Sequence, residues 1–101
     1  MALYFGNITS LAVMANRKQN LVHVVDAMSG AVMYTLRGHT DGVTSVCFSS
    51  DCKHIASTSY DCSLRIWNVE SASLMHTLVG SNYYVNAVSF SPDGTKAVAV
   101  S

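Results

Sequence analysis

Charge is what this sequence has least of. Only 12% of its 101 residues are Asp, Glu, Lys or Arg, six of each sign, and the formal net charge is zero. Nucleic-acid-binding domains carry a basic patch and peripheral membrane proteins a basic face. Neither is here, so neither partner is expected. There is one proline, and no apolar run approaches the roughly 18–20 residues of a spanning helix. Cysteine is sparse and odd in number, since Cys47, Cys52 and Cys62 cannot form the even framework of a small secreted domain. The first residues, Met1-Ala2-Leu3-Tyr4-Phe5, lack the basic start of a signal peptide, and Asn7 interrupts them. The sequon Asn7-Ile8-Thr9 therefore carries no weight. An intracellular, reduced protein is expected, cytoplasmic or nuclear. What the chain has in quantity is apolar residues, at half the total. That is too many for disorder, and an ordinary soluble domain carries about twice this charge fraction. The combination points to surface meant to be covered by more protein.

The sequence repeats itself with a period of 42 and no gaps. Met33-Tyr34-Thr35-Leu36-Arg37-Gly38 falls on Met75-His76-Thr77-Leu78-Val79-Gly80. Val43, Val46, Phe48, Ser49 and Asp51 fall on Val85, Val88, Phe90, Ser91 and Asp93, and Leu21 to Asp26 falls on Ser63 to Asn68. A period of this size marks a repeat architecture, and the chain holds about 2.4 units. Inside a unit the hydrophobic signal has period two. Residues 43–48, 54–59, 63–69 and 73–79 read as four short strands. Turns at Ser50-Asp51-Cys52-Lys53, Tyr60-Asp61-Cys62 and Glu70-Ser71-Ala72 separate them, an antiparallel meander. No segment carries a helical stripe. Such a sheet has two apolar faces and can bury neither alone.

Gly38-His39, then Ser57-Thr58-Ser59-Tyr60-Asp61 and Leu64-Arg65-Ile66-Trp67-Asn68, resemble a WD40 repeat, with Asn68 where the family usually has Asp. The pattern runs from about Leu11 to Ser101, and Gly38 to Val79 is the complete copy. The resemblance implies an all-β fold of four-stranded antiparallel β-propeller blades, incomplete in this chain. The expected division is a degenerate partial blade at 1–37, a complete blade at 38–79 and the start of another at 80–101. The strand after Gly38-His39 should be innermost and the unit's fourth strand outermost. Val46 and Phe48 should fill one space between blades, with Val88 and Phe90 repeating that role one blade on. The resemblance also implies a hydrogen-bonded tetrad in which Asp61 fixes His39, His39 bonds a strand hydroxyl, and that hydroxyl accepts from the Trp67 ring. Ser57 and Ser59 have the same parity, so either could supply the hydroxyl. The flanking units lack the set, since Val25, Gln19 and Ser81 stand where Trp67, Asp61 and His39 would.

The implied function is protein–protein interaction: a scaffold presenting loops to partner proteins or peptides, without catalysis, cofactor or metal. Tyr60, Tyr83, Tyr84 and Asn86, with Thr44 as the counterpart of Asn86, form a candidate partner-binding patch on the edge that carries Asp61 and the Gly-His loop. Tyrosine supplies contact area and a polar tip at low entropic cost. Because a propeller needs at least about four blades, the remaining blades belong either to a longer parent chain, the favoured reading, or to identical copies completing a ring. A rival function, a hydrolase built on His39, Asp61 and Ser57 or Ser59, lacks a Gly-x-Ser-x-Gly elbow. The cysteines, with His39 and His54, lack metal-ligand spacing. Cys52 occupies the slot Gly94 holds one unit later, which would strain it at positive φ.

Overall fold

A computed structural model of the chain describes residues 2–5, 11–16, 18–49, 53–79, 87–91 and 97–100. Every element among them is a strand, and each sheet is an antiparallel run in sequence order. The first sheet holds β1 (Ala2–Phe5), β2 (Leu11–Asn16), β3 (Leu21–Asp26) and β4 (Val32–Leu36). The second holds β5 (Val43–Phe48), β6 (His54–Ser59), β7 (Ser63–Asn68) and β8 (Ser73–Val79), and the third pairs β9 (Ala87–Phe90) with β10 (Ala97–Val100). The sequence pattern starts at about Leu11 and does not show β1. A continuous apolar run has no alternation to mark it as a strand.

The strand pairing refines the repeat. From β3 onward the 42-residue spacing holds. The register irregularity between Val24 and Val25 on β3 recurs between Ile66 and Trp67 on β7, leaving Met33 and Met75 as the extra residues of the outer strands. In the first half of the first unit the gapless alignment fails. Val13 pairs with Val24 and Tyr4, whereas Ala56 pairs with Ile66 and Cys47, so β2 stands 43 residues from β6. The extra residue lies in the connection at 17–20, against 60–62 in the second unit. A slip of one residue exchanges the two faces of a strand, and so Val13 and Ala15 face the second sheet.

The turns recur as well. Asn20 (φ 59°) and Cys62 (φ 68°) occupy equivalent places after the second strand, and Gly30 (φ 75°) and Ala72 (φ 54°) after the third. The left-handed strain therefore falls on Cys62 and Ala72; Cys52 lies outside the described residues. The turn at Gly30 closes by Gly30 N–H to the Asp26 carbonyl (2.7 Å), while Asp26 Oδ1 accepts from Met28 N–H (2.9 Å). A Cβ on Gly30 would meet nothing within 4 Å, so Gly30→Ala tests the backbone alone. It is expected to lower unfolding free energy by about 1 kcal/mol, read as a lower urea midpoint at unchanged slope.

The sheets stack through their inner strands, with β5 packed against β1, β2 and β3 on one side and β9 on the other. Val46, Phe48, Ile55 and Trp67 meet Val13, Ala15, Val22, Val24 and Leu36 between the first two sheets. Cys47, Ala56 and Leu64 meet Val88 and the flanking Phe90 between the second and third. Val46 and Phe48 thus fill one space and Val88 and Phe90 the next. β8 is exposed at every position. Leu36 and Leu78 are equivalent residues of the outer strands, yet Leu36 is 3% exposed and Leu78 61%. The second sheet covers Leu36, whereas β9 packs on β5 and β6 and leaves Leu78 open. Each sheet is buried by its neighbour, not by itself.

Candidate functional site

The polar centre of the second sheet lies at the edge where β4 hands over to β5 and β6 turns into β7. His39 Nδ1 lies 3.0 Å from Asp61 Oδ2, and its Nε2 lies 2.7 Å from Ser57 Oγ. Trp67 Nε1–H donates to the same Ser57 oxygen at 2.8 Å. Ser57 is therefore the hydroxyl of the network, and Ser59 is not. Ser59 Oγ instead donates to the Asp41 carbonyl (3.0 Å) and accepts from Asp61 N–H (3.1 Å), tying the β4–β5 loop to the β6–β7 turn. Ser63, which the sequence did not single out, joins through Oγ–H to Asp61 Oδ1 and through N–H to the same oxygen at 2.9 Å. Its place two residues after a turn aspartate is a local signal for such a bond.

One protonation pattern satisfies the chain of contacts. The Trp67 N–H donates to Ser57, Ser57 O–H donates to His39 Nε2, and His39 Nδ1–H donates to a charged Asp61. Burial lowers the His39 pKa from its ordinary value, against the opposing pull of Asp61. Burial disfavours the Asp61 charge, but hydrogen bonds from Ser63, Thr40 N–H and His39 outweigh it and hold the carboxyl at about 2. Neutral imidazole beside charged carboxylate is the favoured state. The arrangement does not meet the needs of a hydrolase: Ser57 is 0% exposed, and its oxygen already accepts the indole N–H, whereas a nucleophile must reach its substrate. Among the described residues no group of three His, Cys, Asp or Glu could hold a metal. Cys47 is buried against Ala56 and Val88, which pushes its thiol up to about 11. No described helix is long and apolar enough to cross a membrane.

Tyr60 lies half-buried in the β6–β7 turn, its N–H bonded to the Gly42 carbonyl at 3.0 Å, on the same edge as Asp61 and His39. Thr44 does not belong to an open patch. It is 5% exposed, it sits at the register irregularity between Val43 and Ser45, and its hydroxyl meets Thr58 Oγ1 at 2.9 Å. Such bulges turn a side chain out of the alternation that sequence parity assumes. Tyr83, Tyr84, Asn86 and Ser81 lie outside the described residues. Of the flanking equivalents, Val25 is buried and Gln19 exposed.

The family described as "WD domain, G-beta repeat" matches residues 30–68 and 72–101. Autophagy-related protein 16 of Arabidopsis thaliana is 33% identical over 97 residues, covering 88% of this chain and 19% of that protein. The small ribosomal subunit protein RACK1y of rice (Oryza sativa subsp. japonica) is 45% identical over 60 residues, 57% of this chain and 18% of its own length. A WD repeat-containing protein of Synechocystis is 37% identical over 100 residues, covering 92% of this chain and 29% of its own. The chain thus spans between about a fifth and three-tenths of these relatives. The solved structures of U3-55K and of the RRP9 WD40 repeats each superpose with a TM-score of 0.79 at 29% identity, over 86% of this chain and 26% of theirs. Stacked four-stranded sheets, the Trp67–Ser57–His39–Asp61 network and these matches have one common explanation: the chain belongs to the WD40 repeat family and forms part of a β-propeller.

Proposed function

We propose that this chain is a section of a protein–protein interaction scaffold that presents the loop edge above the His39–Asp61 network to partner proteins or peptides, in the cytoplasm or nucleus. The remaining blades belong to a longer parent chain in this reading. The observation that carries it is the tie between the two edge loops. Asp61 accepts from His39 and Thr40 of one loop and Ser63 of the other, and Ser59 bonds Asp41 across them. Loops fixed this way lose little entropy when a partner docks, and the turn they frame carries Tyr60. The relatives point the same way. An autophagy-related protein and a small ribosomal subunit protein share this architecture, which fits a reusable platform better than one shared reaction. The patch consists of Tyr60, Tyr83, Tyr84 and Asn86.

Tyr60→Ala combined with Tyr84→Ala is expected to weaken capture of an authentic partner at least tenfold, a loss of about 1.4 kcal/mol or more, with the urea midpoint changed little. Unchanged affinity removes the patch.

A further inference from the structure

We infer that Arg65 is a carboxylate-recognition point for a partner protein, taking an acidic side chain flanked by apolar residues; this rests on the scaffold reading and names the partner's chemistry. Arg65 lies on β7 and shares the face of Trp67. Its Nε is buried and has no hydrogen-bond partner. Among the described residues no carboxylate lies within ion-pair distance of it. The equivalent residue of the first sheet, His23, meets its cross-strand neighbour through Nδ1 and Thr35 Oγ1 at 3.2 Å. Arg65 is paired in the same way with Thr77 but makes no such bond. An arginine donor taken out of water and given nothing in return is a group awaiting an acceptor.

The guanidinium lies beside the Gly38 loop. A Cβ on Gly38 would stand 2.8 Å from Arg65 Nη1 and 3.3 Å from Trp67 Cη2, so the guanidinium lies close against the Gly38 backbone and the Trp67 ring. Arg37, exposed beside Gly38 in the chain, puts a second positive charge at the same loop. Leu74, Thr77 and Val79 of β8 share the Arg65 face by register, with Leu74 and Val79 43% and 75% exposed. β8 has no acidic residue. The acceptor that matches a planar fork of N–H groups is a carboxylate; no described residue supplies one, and the proposal assigns it to a partner whose apolar neighbours cover Leu74 and Val79.

The test is nuclear magnetic resonance on the isotope-labelled full chain, titrated with acetyl-Leu-Glu-Leu-amide and, separately, acetyl-Leu-Gln-Leu-amide. The glutamate peptide is expected to shift the Arg65 Nε–H and Gly38 N–H signals saturably, with a Kd of order 1 mM, and the glutamine peptide to respond at least tenfold more weakly. Arg65→Lys keeps the charge but not the fork and should lose most of the response. Equal response to both peptides, no response, or shifts centred on Tyr60 instead overturns the anion site. If the peptide is ignored while an authentic partner still depends on Tyr60, the anion site falls and the scaffold stands. If the glutamate peptide binds while Tyr60→Ala leaves the partner untouched, the anion site stands and the tyrosine patch falls.

Discussion

Trp67→Ala is expected to lower the unfolding free energy of this chain by about 3–5 kcal/mol. The indole is 2% exposed and lies between two sheets, in one cluster with Val13, Val24, Leu36, Phe48 and Ile55. Its removal leaves a cavity that β-strands of two different sheets cannot jointly close. It also withdraws the donor to Ser57, although Ser57 can still donate to His39. Trp67→Phe separates these contributions. Most of the wedge is kept and only the N–H is lost, so the cost should fall to about 1–2 kcal/mol. Both are read from urea unfolding followed by circular dichroism, because Trp67 is the only tryptophan. A loss below about 1 kcal/mol for Trp67→Ala contradicts burial between stacked sheets, and with it the dependence of each sheet on its neighbour.

The repeat made most of the fold legible from sequence. Period-two alternation located β5 to β8, and the 42-residue spacing of Val46 and Phe48 from Val88 and Phe90 placed equivalent residues on equivalent faces. Features set by register were not legible. Ser57 and Ser59 share parity, and only position along β6 divides them. Ser59 ends the strand beside the Asp41 loop, while Ser57 lies two residues deeper, between the His39 ring and the indole. The one-residue offset of β2 is hidden because Ala12, Val13, Met14 and Ala15 are all apolar, so either face would read as core. Thr44 was misplaced by a bulge that leaves no trace in composition. Ser63 was within reach of a sequence argument, as a hydroxyl two residues after a turn aspartate. The orphaned Arg65 was not, because whether a strand arginine finds a partner depends on its neighbours in space.

Asp61→Asn is expected to cost about 3 kcal/mol near neutral pH and to change how stability depends on pH. In the native chain the two titrating groups act in the same direction. The folded His39 takes up a proton less readily than its ordinary value of 6.5. As pH falls below 6.5 the unfolded state therefore binds more protons, and stability declines. Protonation at Nε2 would also leave Ser57 facing two donors, with its own hydrogen unpaired. Asp61 then adds a second decline, because its folded carboxyl titrates near 2 against 3.8 when unfolded. That contribution is complete above 3.8 and is lost as the pH falls toward 2. Its size is of order 1–2 kcal/mol after allowing for solvent screening. The charged groups facing this pair are Arg65, whose positive charge opposes a second one on His39, and the Asp61 carboxylate itself. Asparagine keeps the shape but cannot titrate, so the decline between pH 3.8 and 2 should shrink by that amount while the one below 6.5 persists or deepens, since the anion that favoured imidazolium is gone. Urea unfolding across about pH 2 to 8 reads both. An acid limb identical to that of the native chain would mean that Asp61 is not held ionised by His39, Thr40 and Ser63, and the loops it joins would then owe their rigidity to something else.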